Sequence, residues 1–348
     1  MKALTFHGKK TIELETVPDP EILFPADVIV KVSLTAICGS DMHVYHEREK
    51  GLDRGTVMGH EFVGEIVETG GKVTSFAKGD RVVSPFTTNC GRCHYCTIGL
   101  TARCVHGGLY GWVESGEGLQ GAQAEYVRVP LAEATLFPIP DGVADDAAIL
   151  TGDILSTGYF CAQMAGVGPR GVYAVVGCGP VGLMAIVGAR EQGAETLFAL
   201  DLVPERLTMA ESFGATAVNV DTEDPVAVIR DATDGRGVDA VLEVVGSPSA
   251  GKLAYDLVRP GGTIAVVGVH NEEGFSFSPA DAYDKNLTYR VGRCPARHLI
   301  PRLMPLLQTG KYDVTSILSH RWPMERGVEG YTLFDEKRDG CTKVVLTP

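Results

Sequence analysis

Three groupings of residues in this chain have the types and spacing to do chemistry. The densest is Cys90, Cys93, Cys96 and Cys104, four of the nine cysteines within fifteen residues. Clustered thiols serve as disulfides, metal ligands or redox groups. A reducing interior disfavours disulfides, and intervals of two, two and seven residues suit a zinc ion held tetrahedrally by four thiolates. An iron–sulfur cluster uses related intervals, but no proline follows the fourth cysteine here. The expectation is a closed structural zinc site with His94 and His106 as bystanders. Such a site has no open position for a substrate.

The second grouping is Gly177-x-Gly179-x-x-Gly182. An apolar run, Val172 to Val176, precedes it, a helical stretch to about Gln192 follows, and Asp201 closes the next apolar run. That context makes it a dinucleotide fingerprint. Gly177 permits a tight turn, Gly179 lets the backbone approach a pyrophosphate, and Gly182 lets the helix pack on the strand. Pro180 and Val181 open that helix, whose N-terminus faces the phosphates. Asp201 can accept hydrogen bonds from the adenosine ribose and would repel a 2′-phosphate, which favours NAD over NADP. The alternative is that it only caps the helix beginning near Pro204. Arg206 either reaches the same ribose or lies on a solvated helix face.

The third grouping is looser: Cys38 with Ser40, Asp41 and His43, and then His60 with Glu61. Taken singly, Cys38 and His60 read as core residues. Beside a four-cysteine lobe and a nucleotide fold they read as a second metal site.

The elements that must position these groups divide the chain. The first third alternates short apolar runs, at 27–32, 61–67 and 81–83, with Gly-rich turns, a pattern that predicts a β-rich barrel or sandwich. Beyond residue 150, runs at 172–176, 196–201, 217–220, 240–244 and 263–267 alternate with helical stretches, which predicts a doubly wound parallel sheet. At 348 residues and 45% hydrophobic content the chain can bury two cores. A formal net charge of -13 argues against a nucleic-acid partner. No segment offers about 20 consecutive apolar residues and the start lacks the pattern of a signal peptide, so the expectation is a cytoplasmic protein without a membrane span.

Over essentially its full length the chain resembles the zinc-dependent medium-chain alcohol dehydrogenases. The resemblance rests on Cys38-x-Ser40-Asp41-x-His43, Gly59-His60-Glu61-x-x-Gly64, Gly79-Asp80-Arg81-Val82, the four-cysteine lobe and the glycine fingerprint. It implies an α/β plus β architecture. A GroES-like catalytic domain, residues 1–153 and 293–348 with the zinc lobe at about 88–106, is interrupted by a Rossmann NAD-binding domain at 154–292. It also implies two zinc ions per chain. The catalytic zinc would be held by Cys38, His60 and a third ligand, for which this sequence offers Asp153, with Cys161 as the alternative in another register.

By the same resemblance Ser40 and His43 form a proton relay, the alternative being a helix cap and a surface residue. Asp41 orients His60, and Glu61 is a carboxylate near the zinc. Lys343 lies against the pyrophosphate, or else faces solvent on a strand. Phe86, Leu109 and Trp112, with Tyr110 and with Val269 beside the nicotinamide, line an apolar pocket, or else belong to the core. The implied reaction interconverts an alcohol with its aldehyde or ketone by zinc-assisted deprotonation and hydride transfer, in a homodimer or homotetramer. The stretches around Ser156, Leu109 and Gln123 are most similar to the glutathione-independent formaldehyde dehydrogenase branch. Two alternatives are a non-catalytic NAD-binding structural or regulatory protein and a zinc-independent enoyl or quinone reductase. The second predicts loss of Cys38, His60 and the cysteine lobe, all of which are present.

Overall fold

Alternation of apolar residues through the first third produces nine strands: β1 (Lys2–Gly8), β2 (Thr11–Thr16), β3 (Val28–Ile37), β4 (Phe62–Thr69), β5 (Arg81–Ser84), β6 (Trp112–Glu114), β7 (Glu117–Leu119), β8 (Tyr126–Val129) and β9 (Phe137–Pro138). The computed structural model describes residues 1–348, which fall into two units: Met1–Asp153 with Pro295–Pro348, and Ile154–Cys294. In the first unit β3 is the spine. It pairs antiparallel with β4 along most of its length and with β8 over Val28 to Lys31. Val28, Val30 and Val32 of β3 point into one cluster with Phe62, Ile66, Val82, Val127 and Leu136. Burying each such side chain contributes about 1.5–3 kcal/mol.

The second unit is a six-stranded parallel sheet of β10 (Val172–Val176), β11 (Thr196–Asp201), β12 (Thr216–Asn219), β13 (Val238–Glu243), β14 (Val258–Val266) and β15 (Thr288–Val291). Its order is β12-β11-β10-β13-β14-β15. The central strands are buried almost throughout, as both faces of a parallel sheet must be. The crossover helices Pro180–Glu191, Pro204–Ser212, Pro225–Asp231 and Pro248–Leu257 each open on proline, where the missing N–H had no helical partner to lose. Strand order reverses between β10 and β13. In open α/β sheets the ligand crevice lies at such a switch point, outside the carboxyl ends of the strands.

After the second unit the chain rejoins the first through the helix Ala296–Thr309, β16 (His320–Pro323) and β17 (Val344–Thr347). β17 pairs antiparallel with β3, Val344 opposite Ile37, and parallel with β16. The completed sheet has seven strands on the path β16-β17-β3-β4-β5-β9, with β8 added on β3. At the other crossing, the helices Asp145–Gly152 and Ile154–Ala165 are broken by Asp153, whose φ of -145 and ψ of -81 are non-helical. No helix is long and apolar enough to cross a membrane.

Candidate active site

Cys38 directly follows β3, and His60 and Glu61 directly precede β4. The pairing of Thr35 with Phe62 therefore brings the two loops together. Asp153 joins them from the helix break. Gly152 makes this approach possible, because a Cβ there would lie 2.4 Å from the carbonyl oxygen of Ser84. One ligand atom from each of Cys38, His60, Glu61 and Asp153 lies within 4.8 Å of the others, and all four residues are buried. Asp153 Oδ2 is 3.5 Å from Cys38 Sγ and 3.3 Å from His60 Nε2. His60 Nδ1 is 3.3 Å from Asp41 Oδ1. Asp41 Oδ2 in turn accepts from the Cys38 backbone N–H at 2.9 Å and from Gln123 Nε2 at 3.3 Å. Tyr331 holds Gln123 by donating its hydroxyl to Oε1 at 2.8 Å.

Burial pushes the Cys38 thiol up, and the neighbouring charges of Glu61 and Asp153 add to this. Burial alone would lower His60, but Asp41, Cys38 and Asp153 together hold it well above its usual value. Burial likewise raises Glu61 against the opposing charge of Lys343. Glu61 is wholly buried, with Oε1 paired to Lys343, and its Oε2 has no hydrogen-bond partner. So many anionic groups drawn from water around one point, one carboxylate oxygen unpaired, fit a divalent cation. The donor set of sulfur, imidazole and carboxylate is that of a catalytic zinc, with three protein ligands and a fourth position for substrate.

The structure redirects one assignment, that of Lys343. It does not face solvent on its strand; it is wholly buried and paired with Glu61. A buried ammonium must be paired, and Glu61 is the carboxylate it meets. Gln123 and Tyr331 were not assigned roles from sequence: they are distant in the chain and belong to no spacing motif.

Ser40 sits at the N-cap of the helix Asp41–Tyr45 but makes no side-chain cap bond. Its Oγ lies 3.3 Å from His60 Nε2 instead. His43 is half-buried, and burial, followed by the charges of Arg48 and His46, lowers its pKa. Phe86 is buried with its ring edge-on to His60, centroids 6.4 Å apart. Leu109 is partly buried and bridges to Thr87. Trp112 packs partly against the cluster that contains Met42 and Met58. Tyr110 is core rather than pocket: it is fully buried and edge-on to Phe62.

In the lobe, the sulfurs of Cys90, Cys93, Cys96 and Cys104 also gather within 4.8 Å. Cys93 Sγ is 3.5 Å from Cys96 Sγ and 3.9 Å from Cys104 Sγ, and none of the four is in a disulfide. Backbone N–H groups of Cys90 and His106 donate to Cys104 Sγ at 3.2 and 3.4 Å. Backbone N–H groups of Cys96 and Val105 pull Cys93 down to about 6. Amide donors aimed at sulfur favour thiolate, the form that binds metal; at Cys93 they prevail, whereas at Cys104 burial outweighs them and pushes the thiol up. His94 and His106 stand outside the sulfur cluster.

In the second unit, Gly177 has a φ of +96, and a Cβ on Gly182 would lie 1.8 Å from the Gly177 carbonyl oxygen. The helix Pro180–Glu191 thus packs against the turn with no room for a side chain. At Gly179, its N-cap, only Arg206 approaches a Cβ position, at 3.7 Å, which leaves an open cradle at the helix N-terminus. Asp201 Oδ2 accepts from the Cys178 N–H at 2.6 Å, and its Oδ1 accepts from Leu202 and Val203. The following helix is N-capped by Val203, so Asp201 grips the glycine loop rather than that helix. Val269 is exposed in the segment after β14.

Comparison with known proteins agrees with this geometry. Residues 25–141 match the family "Alcohol dehydrogenase GroES-like domain" and residues 180–309 match "Zinc-binding dehydrogenase". The chain is 43% identical over 354 residues to the zinc-type alcohol dehydrogenase B of Aspergillus flavus, covering 96% of this chain and 79% of that protein. An uncharacterized zinc-type alcohol dehydrogenase-like protein of Bacillus subtilis is 36% identical, with 100% of both chains covered. Among solved structures, the alcohol dehydrogenase TADH of Thermus sp. ATN1 superposes with a TM-score of 0.93 at 40% identity, covering 100% of this chain and 99% of that one. The chain belongs to the zinc-dependent medium-chain alcohol dehydrogenases, NAD-linked enzymes that interconvert alcohols with aldehydes or ketones.

Proposed function

We propose that Cys38, His60 and Asp153 hold the catalytic zinc, that Cys90, Cys93, Cys96 and Cys104 hold the structural zinc, and that Gly177, Gly179, Pro180, Val181, Gly182, Asp201 and Arg206 bind NAD. The observation that carries the reading is the convergence of Cys38, His60 and Asp153 on one buried point beside the hydroxyl of Ser40. When bound, the zinc supplies Lewis acidity and the nicotinamide supplies the hydride acceptor.

The protein's own groups do the rest. Asp41 fixes the His60 ring so that Nε2 faces Asp153 and Ser40. Cys38 and Asp153 balance the charge of the cation, while Lys343 neutralises Glu61 and leaves its second oxygen close by. Ser40 accepts the proton of the substrate hydroxyl as it gives up its own in the direction of His43, whose imidazole, its pKa lowered by half-burial, takes up that proton and releases it to water. Asp201 favours NAD by repelling a 2′-phosphate while it holds the glycine loop.

Phe86 beside His60, with Leu109, gives the substrate an apolar wall, which suits a small alcohol or aldehyde with an apolar group. The resemblance to formaldehyde dehydrogenases makes formaldehyde one member of the test panel. By analogy with its family the chain works as a homodimer or homotetramer, and nine cysteines with no disulfide among them suit the cytosol.

The test is NADH formation from NAD with formaldehyde and with primary, secondary and polyhydric alcohols, with and without a zinc chelator. A chelator-sensitive rate peaking on one class is expected. Asp153→Asn should lower turnover about a hundredfold or more and leave NADH affinity unchanged; full turnover in that variant would remove Asp153 from the ligand set.

A further inference from the structure

The cofactor reading leaves one buried acid of the second unit unused. Glu243, the last residue of β13, is fully buried, yet its carboxylate is fully engaged. Oε1 accepts from the backbone N–H groups of Val245 at 2.7 Å and Gly246 at 2.8 Å. Oε2 lies 3.1 Å from His270 Nε2. His270 follows β14, and its side chain is 30% exposed. A carboxylate only accepts, so the proton of the neutral imidazole sits on Nε2, and Nδ1, which has no protein partner, is left as an acceptor.

The place of this pair in the sheet says what Nδ1 serves. Asp201 on β11 assigns the adenosine half of a dinucleotide to the side of β10 and β11, and the helix after Gly179 takes the pyrophosphate. The other half must then cross the switch point to the carboxyl ends of β13 and β14, where Glu243 and His270 are found. The segments there are packed backbone to backbone. A Cβ on Gly177 would lie 2.4 Å from Val245 Cγ2, one on Gly246 2.4 Å from the Val269 carbonyl oxygen, and one on Gly268 2.3 Å from the Gly246 nitrogen. Val245 and Val269 are exposed at this edge and offer an apolar surface on which a flat ring can lie.

We propose that His270, its ring fixed by Glu243, is a positioning residue for the nicotinamide riboside half of the cofactor, with Nδ1 accepting a hydrogen bond from one of that half's donors, the carboxamide NH2 or a ribose hydroxyl. The inference rests on the cofactor reading above. Neither residue belongs to the glycine fingerprint or to the proposed zinc-ligand set.

Binding separates the two readings. NADH and ADP-ribose, which lacks the nicotinamide, are titrated into the purified protein by fluorescence and calorimetry. His270→Ala should weaken NADH about tenfold and leave ADP-ribose unchanged. Glu243→Gln keeps an acceptor for Val245 and Gly246 but turns an amide donor toward His270. The imidazole then carries its proton on Nδ1, so NADH should weaken as much as in His270→Ala, and 15N spectra of the histidines should report the exchanged tautomer. His270→Gln, which retains both a donor and an acceptor, should recover part of the loss. Equal losses for NADH and ADP-ribose, or no loss for either, would overturn the assignment. If the unsubstituted protein binds neither ligand, the cofactor reading fails and takes this inference with it.

Discussion

A single carboxylate can act through an imidazole, and Asp41 shows how. It accepts from the Cys38 backbone and from Gln123 and lies against His60 Nδ1, so one side chain fixes both the sulfur-bearing loop and the ring of the second ligand. Two residues further along the chain is His43, proposed above as the exit of the proton relay. Its pKa is lowered from an ordinary 6.5 by burial, then by Arg48 and His46, so the neutral imidazole that accepts a proton persists to more acidic pH than in a free histidine. The sign follows: alcohol oxidation should hold as pH falls through 6.5 and drop only below it. His43→Asn should flatten that acid limb in a kcat/KM profile, and a limb unchanged in position and depth would remove His43 from the relay. The gathering of Cys38, Ser40 and His60, and of the four lobe cysteines, was legible because these residue types stand at short local intervals in the chain. Gln123, Tyr331 and the true partner of Lys343 were not, because they meet only after the sheet forms. A single chain read in order carries no signal of that meeting.

At the level of elements, the parallel sheet announced itself. Val172 to Val176 and Thr196 to Asp201 form strands over the residues their apolar runs mark, because a strand buried on both faces needs an unbroken run. The edges were less legible: β15 alternates poorly and β9 has only two residues, since an edge is fixed by its neighbour more than by its own pattern. The break at Asp153 depends on contact as well. Gly152 lets the helix end touch Ser84, and Gly152→Ala would press a methyl group into a backbone oxygen that cannot swing away. That substitution should cost about 1–3 kcal/mol and, by displacing Asp153, about a hundredfold in turnover. Denaturant melts read the first effect and steady-state rates the second; normal values in both would show that the helix end yields freely. The lobe behaves differently, since it holds its metal through its own loop. Cys93→Ser should reduce the zinc content from two per chain to one and lower the melting temperature, while the substrate preference of freshly purified enzyme stays the same.

The whole molecule has separate cores, one cluster built on Val28, Phe62 and Val127 and another on Ala174, Phe198 and Ile264, each within its own unit. Heating should therefore depart from a single two-state transition, with a calorimetric enthalpy larger than the van't Hoff value. Saturating NADH at about a hundred times its Kd should stabilise the nucleotide unit by about 2.7 kcal/mol, and a chelator should act on the other unit; one transition moved equally by both reagents would contradict this division. The unit that carries the zinc ligands is assembled from two stretches of chain, and the later stretch brings β17 to the side of β3 and Lys343 to Glu61. During synthesis, the ribosome releases Cys38, His60 and Asp153 long before Lys343. Until the intervening nucleotide unit has emerged, the nascent chain holds β3 without its β17 partner over Thr35, Ala36 and Ile37, and Glu61 without its counter-charge. Translation order thus makes the metal pocket one of the last parts of the protein to mature, and it leaves the growing chain dependent on whatever shields that stretch in the meantime.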